Sequence, residues 1–103
     1  MPSPSLGRIV HYRLTQQDAS DINRRRTDFE HSANSAEHTG FVGHHGNPAV
    51  EGQLCAAVIV RIFNPDSPAV NLQVFLDGND TLWATSRAEG DAPGQWAWPE
   101  VMR

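Results

Sequence analysis

The alternation of apolar and polar residues is clearest in residues 69–77, where every second side chain is apolar. These apolar residues are Val70, Leu72, Val74 and Leu76. Such period-two alternation predicts a β-strand that buries one face. The Asp77-Gly78-Asn79-Asp80 sequence that follows is typical of a tight hairpin turn, so residues 81–87 are predicted to return as the antiparallel partner strand.

Three further segments have strand character. Residues 7–14 alternate, residues 53–63 are apolar on both faces as in a central strand, and residues 95–99 form a short strand ended by Pro99. Glycine- and proline-containing turns separate these segments. The pattern predicts a mainly β (α+β) fold, either a small SH3-like barrel or a strongly bent antiparallel sheet of about five strands.

Between the first two strands the apolar period becomes helical. Thr15 is a predicted N-cap, with Asp18 three residues later near the positive end of the helix. The stripe of apolar residues that follows is narrow: Ala19, Ile22, Phe29 and Ala33. We therefore predict a helix over about residues 16–31, inserted after the first strand and lying across one edge of the sheet.

Opposite charges four residues apart are expected to support this helix as ion pairs, joining Asp21 to Arg25 and Arg24 to Asp28.

The length of 103 residues predicts a single domain spanning 1–103. Within it we expect an extended lead-in over residues 1–6, the inserted helix within 15–36, a loop rich in glycine and histidine over 37–52, and an antiparallel β core over 53–100. An open sheet edge beside a thin helix would also make a homo-oligomer unsurprising.

Charge and cysteine content narrow the function classes. All eight basic residues are arginine and the net charge is −4, which argues against duplex DNA as a partner. The single cysteine, Cys55, excludes an intrachain disulfide and a four-cysteine zinc site, and its apolar surroundings predict a buried structural role. We find no resemblance to a signal peptide and no apolar run of membrane-spanning length, so no membrane association and a cytoplasmic location are expected.

Tryptophan and arginine supply the candidate ligand-binding groups. Trp96 and Trp98 share one face of the last strand, where they can close the core or stack on a ring of a ligand. Closure of the core, with the last strand packed against residues 70–76, is the favoured interpretation. The three consecutive arginines can form a solvated, ion-paired helix face, which is favoured, or grip a phosphate or carboxylate. The candidate residues are Arg24, Arg25, Arg26, Trp83, Arg87, Trp96 and Trp98.

Catalytic and metal-binding motifs are not recognised. His44-His45, with His31 and His38 nearby, do not complete a known ligand spacing, so no metal is predicted. His11 is interpreted as a hydrogen-bonded sheet histidine. Without a nucleophile motif or a glycine-rich phosphate loop, the chain is expected to be non-enzymatic and to need no cofactor.

Several motifs together resemble a family of small proteins of tailed phages and prophages, particularly of actinobacteria. They are Gly7–Tyr12, Ile22–Arg26, Ala57–Arg61, Val70–Asp80, Trp83–Arg87 and Pro93–Glu100. In many relatives the last motif reads Trp-His-Trp-Pro, whereas Ala97 stands between the tryptophans here. The resemblance implies a phage or prophage source, and hence the bacterial host cytoplasm or the virion as the location, but it implies no particular activity.

Three functions follow as expectations. The first is a phage accessory protein that binds a small ligand or host factor, for example an inhibitor or a nucleotide-signal sponge acting against host defence. The alternative is a virion component, such as a decoration or tail-associated module. The second alternative is an SH3-like protein–protein adaptor with an aromatic groove.

Overall fold

A computed structural model describes residues 4–31, 46–64, 66–67 and 69–99, except for the side chains of residues 28–31. Five strands and one helix follow in chain order: β1 (Ile9–Arg13), α1 (Gln16–His31), β2 (Leu54–Ile62), β3 (Val70–Phe75), β4 (Thr81–Arg87) and β5 (Trp96–Ala97). The predicted mainly β fold with a helix after the first strand is confirmed. Nowhere in these ranges is a helix long and apolar enough to cross a membrane.

The strands form one antiparallel sheet in the order β4-β3-β2-β1-β5. Strands β2, β3 and β4 follow one another as hairpins, and the predicted β3–β4 hairpin is confirmed. The sheet is open rather than closed into a barrel, because β4 and β5 lie at opposite edges. We expected the last strand to pack against residues 70–76, but β5 pairs with β1 through His11–Ala97 and Tyr12–Trp96.

Main-chain contacts after β4 nevertheless bring the chain round to β5. Glu89 and Trp96 form an isolated parallel bridge. The Trp96 N–H donates to the carbonyl of Ala88 at 3.1 Å, and the Gly90 N–H donates to the carbonyl of Trp96 at 2.8 Å. The segment after β4 and strand β5 belong to opposite edges of the sheet, so they can meet in this way only if the sheet curls. Of the two predicted forms, a barrel or a strongly bent sheet, the structure therefore has the bent sheet.

The core lies on the inner, concave face of the sheet. Its largest fully buried side chains are Trp96, Tyr12, Leu14, Ile22, Ile59, Leu72, Val10, Val70 and Val74. Helix α1 adds Ala19 and Ile22 to this cluster, so it packs on the core and does not merely cross an edge of the sheet. The remaining predicted stripe positions, Phe29 and Ala33, fall outside the described side chains.

The predicted N-terminus of α1 is confirmed in detail. The Asp18 N–H donates to Thr15 Oγ1 at 2.9 Å, and the Thr15 N–H donates to Asp18 Oδ2 at 3.0 Å. These reciprocal bonds satisfy two donors at the start of the helix, as in a capping box.

The predicted helical ion pairs are partly wrong. Asp21 pairs with Arg24 at 2.8 Å, one residue closer in sequence than expected. Arg25 instead reaches Asp80 at 3.3 Å, beyond the β3–β4 turn. An intrahelical pair of exposed charges is worth only a few tenths of a kcal/mol, so a buried carboxylate on the sheet competes for Arg25 successfully. The Arg24–Asp28 pair lies outside the described side chains.

Candidate functional site

The outer face of the sheet, on the side opposite the core, carries many exposed apolar side chains. One cross-strand row runs through Ile9, Val58, Gln73 and Trp83. By strand alternation, the apolar residues that are 41–63% exposed on this face are Ile9, Leu54, Val60, Phe75 and Trp83. No aspartate or glutamate occurs within the five strands, so the negative charge of the chain lies elsewhere. An apolar surface of this kind, without carboxylates, is typical of interaction sites.

A cleft of about 360 Å³ opens at the β1–β5 end of the outer face. Strands β1, β2 and β5 supply one wall, and the turn that precedes β5 supplies the other. Its described lining residues are His11, Arg13, Leu54, Gly90, Asp91, Gln95, Ala97 and Trp98. His11 lies beside Ala97 and Arg13 lies beside Leu54, because these residues are cross-strand neighbours.

Main-chain bonds hold the turn against β1 and so set the width of the cleft. The Gly94 N–H donates to the carbonyl of Arg13 at 2.8 Å, and the Arg13 N–H donates to the carbonyl of Gln95 at 3.2 Å. Gly94 has φ +85°, a conformation that side-chain-bearing residues rarely adopt. A Cβ atom at Gly90 would collide with the amide of Gln95. Gly94 is therefore needed for the turn to fold back as it does, whereas a side chain at position 90 would require the Gln95 amide to move.

The polar groups of the cleft are few and well placed. The Arg13 guanidinium donates through Nη1 to the carbonyl of Gly52 at 3.2 Å, which anchors it at the rim. Gln95 Oε1 accepts the Ala92 N–H at 3.0 Å, which leaves its amide nitrogen as a donor. Together with the imidazole of His11, these groups offer hydrogen-bond donors to an acceptor within the cleft.

Trp98 supplies an aromatic surface next to these donors. Its ring meets Trp96 edge to face at a centroid distance of 5.5 Å, and the Arg8 guanidinium lies 4.9 Å from the Trp98 centroid. Its indole Nε1 is buried without a hydrogen-bond partner. Trp98 is thus partly packed on the core and partly exposed to the cleft, as a ring that both supports the fold and contacts a ligand would be.

The three predicted tryptophans do not form one platform. Trp96 is completely buried on the inner face and donates through Nε1 to the carbonyl of Arg87 at 3.1 Å, in agreement with the core-closure interpretation. Trp83 is 63% exposed on the outer face of β4, at the opposite edge of the sheet from β5. Of the three, only Trp98 lines the cleft.

The predicted arginines also separate. Arg25 and Arg26 converge on Asp80, at 3.3 Å and 2.9 Å, and Arg26 donates additionally to the carbonyl of Asn47. Arg24 lies on the exposed side of the helix with Asp21. Arg26 and Asp80 are both buried, so the arginine triplet mainly fastens the helix to the β3–β4 turn.

Arg87 belongs to a second buried polar cluster. It approaches Asp18 at 3.9 Å and lies 5.7 Å from the centroid of the Tyr12 ring. The Tyr12 hydroxyl donates to Asp18 Oδ2 at 2.6 Å. Burial, followed by this bond to Asp18, raises the pKa of Tyr12 well above its ordinary value. Burial also raises the pKa of the nearby Cys55 thiol, which disfavours the reactive thiolate.

Of the residues that line the cleft, only Trp98 was a binding candidate from the sequence, and Arg13, Gln95 and the cleft itself were missed. The one available signal was the alternation of His11 and Arg13 with the buried Val10 and Tyr12, which places both polar groups on the outer face. Within the described ranges no group of three or more potential metal ligands comes together. Residues 37–45 of the predicted histidine-rich loop, including His38, His44 and His45, lie outside those ranges.

Comparison with protein-family models, curated proteins and solved structures finds no match to this chain. The fold alone therefore defines the class of protein. The described residues form a small, mainly β protein with an open, curled five-stranded sheet and one helix packed on the core. In the part of the chain that the structure describes, the cleft and the apolar outer face are surface features with binding character.

Proposed function

We propose that this chain is a non-enzymatic phage or prophage accessory protein that binds a small ligand or a short segment of a host factor in the cleft. The observation that carries the proposal is the meeting of Arg13, His11 and Gln95 with the Trp98 ring in one cavity of about 360 Å³. Small-molecule sites commonly combine an apolar wall with a few placed polar groups in a volume of this order.

The chemistry of the cleft favours an anionic or acceptor-rich ligand with a flat ring. Arginine, histidine and the glutamine amide nitrogen are donors, and Arg13 is always charged. The indole of Trp98 offers a face or edge for stacking. Asp91 at the rim disfavours a second negative group on that side. A nucleotide carrying a single phosphate is one ligand class with these features, in keeping with a sponge for nucleotide signals.

The lining residues support binding rather than catalysis. Among those described, His11 has no serine, threonine or cysteine beside it in the cleft to serve as a nucleophile. Cys55 is buried on the inner face, and Tyr12 is held protonated by burial and by Asp18.

Native mass spectrometry and calorimetry with a panel of nucleotides and ring-containing carboxylates test the proposal. We expect one ligand per chain and at least about tenfold weaker binding for Arg13→Gln, since a charge-assisted bond contributes about 1.5–3 kcal/mol. Arg61→Gln is the matched control, because Arg61 lies over Phe63 away from the cleft. Equal loss in both variants, or no binding across the panel and host extracts, refutes the cleft as a ligand site.

A virion component is the second candidate, supported by the apolar outer face. Subunits that assemble permanently tend to bury uncharged, apolar surfaces. Mass spectrometry of purified phage particles tests it: stoichiometric presence in the particle favours this function, and absence removes it. The adaptor alternative has less support, because the sheet is open and Trp83 and Trp96 do not line a common aromatic groove.

A further inference from the structure

Strand β4 is an exposed edge of the sheet, and its backbone groups point outward in a regular pattern. The Asp80 carbonyl accepts the Leu76 N–H across the hairpin, so Asp80, Leu82 and Ala84 direct their backbone groups toward β3. Thr81, Trp83 and Thr85 then direct theirs away from the sheet. The guanidinium of Arg25 donates to the outward Thr81 carbonyl at 3.4 Å, which agrees with this alternation.

Two common protections against edge pairing, charged side chains and proline, are missing from the first part of this strand, although its Thr81 carbonyl already accepts the Arg25 guanidinium. Residues 81–86 contain no charge and no proline, and Trp83 is 63% exposed. A bulge opposite β3 distorts only the end of β4, where Ser86 has φ 54°. The other edge, β5, is only two residues long. Natural sheets usually place charges, prolines or very short strands at their edges. Strand β4 is therefore the edge at which pairing with a further strand is expected.

We propose that β4 of one copy pairs antiparallel with β4 of a second copy, which continues the sheet across a two-fold axis near Trp83. This proposal goes beyond the ligand-binding function and involves the opposite edge of the sheet from the cleft. In that register Trp83 of one copy faces Trp83 of the other, and Thr81 of each copy faces Thr85 of the other. Every residue that points outward on one strand meets an outward-pointing residue on the other, as an antiparallel ladder requires.

The side chains of β4 suit a second copy better than an unrelated strand. Thr–Thr and Trp–Trp cross-strand pairs stabilise antiparallel sheets, and no like charges face each other over residues 81–85. The two chains are negatively charged overall, but their carboxylates lie outside the strands that would meet.

Analytical ultracentrifugation tests the proposal on the intact chain. We expect a concentration-dependent species of twice the 11.4-kDa chain mass. Trp83→Lys and Trp83→Glu should each weaken the dimer by about tenfold or more, because like charges then face each other across the axis. An equimolar mixture of the two variants should regain dimerisation. A monomer at all concentrations, or dimers indifferent to both variants, overturns the proposal.

Ile9→Lys is the matched control, since Ile9 is 59% exposed on the same face but lies on β1, three strands from the β4 edge. It should leave the dimer intact, whereas a dimer formed by stacked outer faces would be disrupted. Hydrogen exchange supplies an independent readout. The amides of Trp83 and Thr85 should gain protection as concentration rises, and unchanged exchange in a confirmed dimer would contradict the register.

Discussion

Replacing Asp80 by asparagine is expected to destabilise the fold severely. The Asp80 side chain is fully buried between Arg26 and Arg25, whose side chains are 8% and 33% exposed. Asparagine keeps the shape but removes the charge, which leaves the Arg26 guanidinium buried without a counter-ion. Breaking a buried ion pair in this way costs about 3–5 kcal/mol. A domain of this size has a total stability of about 5–15 kcal/mol, so the loss is a large fraction of it.

Thermal and urea unfolding followed by circular dichroism measure the effect. A loss of about 3 kcal/mol lowers Tm by more than about 10 °C in a domain of this size. Asp21→Asn is the matched control, because its partner Arg24 is 71% exposed and such pairs contribute about 0–1 kcal/mol. Adding Arg26→Met to Asp80→Asn should recover part of the loss, since no unpaired charge then stays buried. If Asp80→Asn costs less than about 1 kcal/mol, or no more than Asp21→Asn, the reasoning is refuted.

Two further predictions concern the buried Tyr12 cluster. Because folding raises the pKa of Tyr12 above its ordinary value of about 10, stability should be full below pH 10 and fall as the pH rises further. Tyr12 is the only tyrosine, so tyrosinate absorbance should appear only with unfolding, and Tyr12→Phe should flatten the alkaline decline. An early tyrosinate signal in folded protein contradicts this. Cys55 is the only cysteine and is buried, so a thiol reagent should label it only when the protein unfolds. The rate of labelling should therefore rise in Asp80→Asn. Rapid labelling of the native protein would show instead that Cys55 is accessible in the folded state.

The sequence was most informative where structure is local. The β3–β4 hairpin followed from alternation next to a turn sequence, and the start of α1 followed from Thr15 and Asp18. The position of β5 was missed, because a two-residue strand carries little information about which strand it will pair with. The convergence of the arginines on Asp80 was also missed, since Arg26 and Asp80 are 54 residues apart in the chain.

The cleft illustrates a related difficulty. Its walls come from β1, β2 and the turn before β5, and its polar groups become neighbours only after the chain has folded back. Arg13 and His11 could be placed on the outer face by alternation, but their approach to Gln95 depends on a turn held by main-chain bonds to β1. Long-range geometry of this kind has no periodic signal in a single sequence.

The two proposals together predict bivalent binding. The cleft lies beside β5 and the proposed pairing edge is β4, so a dimer would carry its clefts at the two ends of a ten-stranded sheet. At about 4.8 Å per strand, nine spacings separate the terminal strands by at most about 43 Å, and the curl of each sheet shortens that distance. A tethered pair of ligands with a linker of matching reach should therefore bind the wild-type dimer more tightly than one ligand alone, by about 10²–10⁴-fold. Trp83→Lys should abolish this gain while leaving single-ligand affinity unchanged. If single-ligand affinity falls as well, the cleft and the β4 edge are not independent.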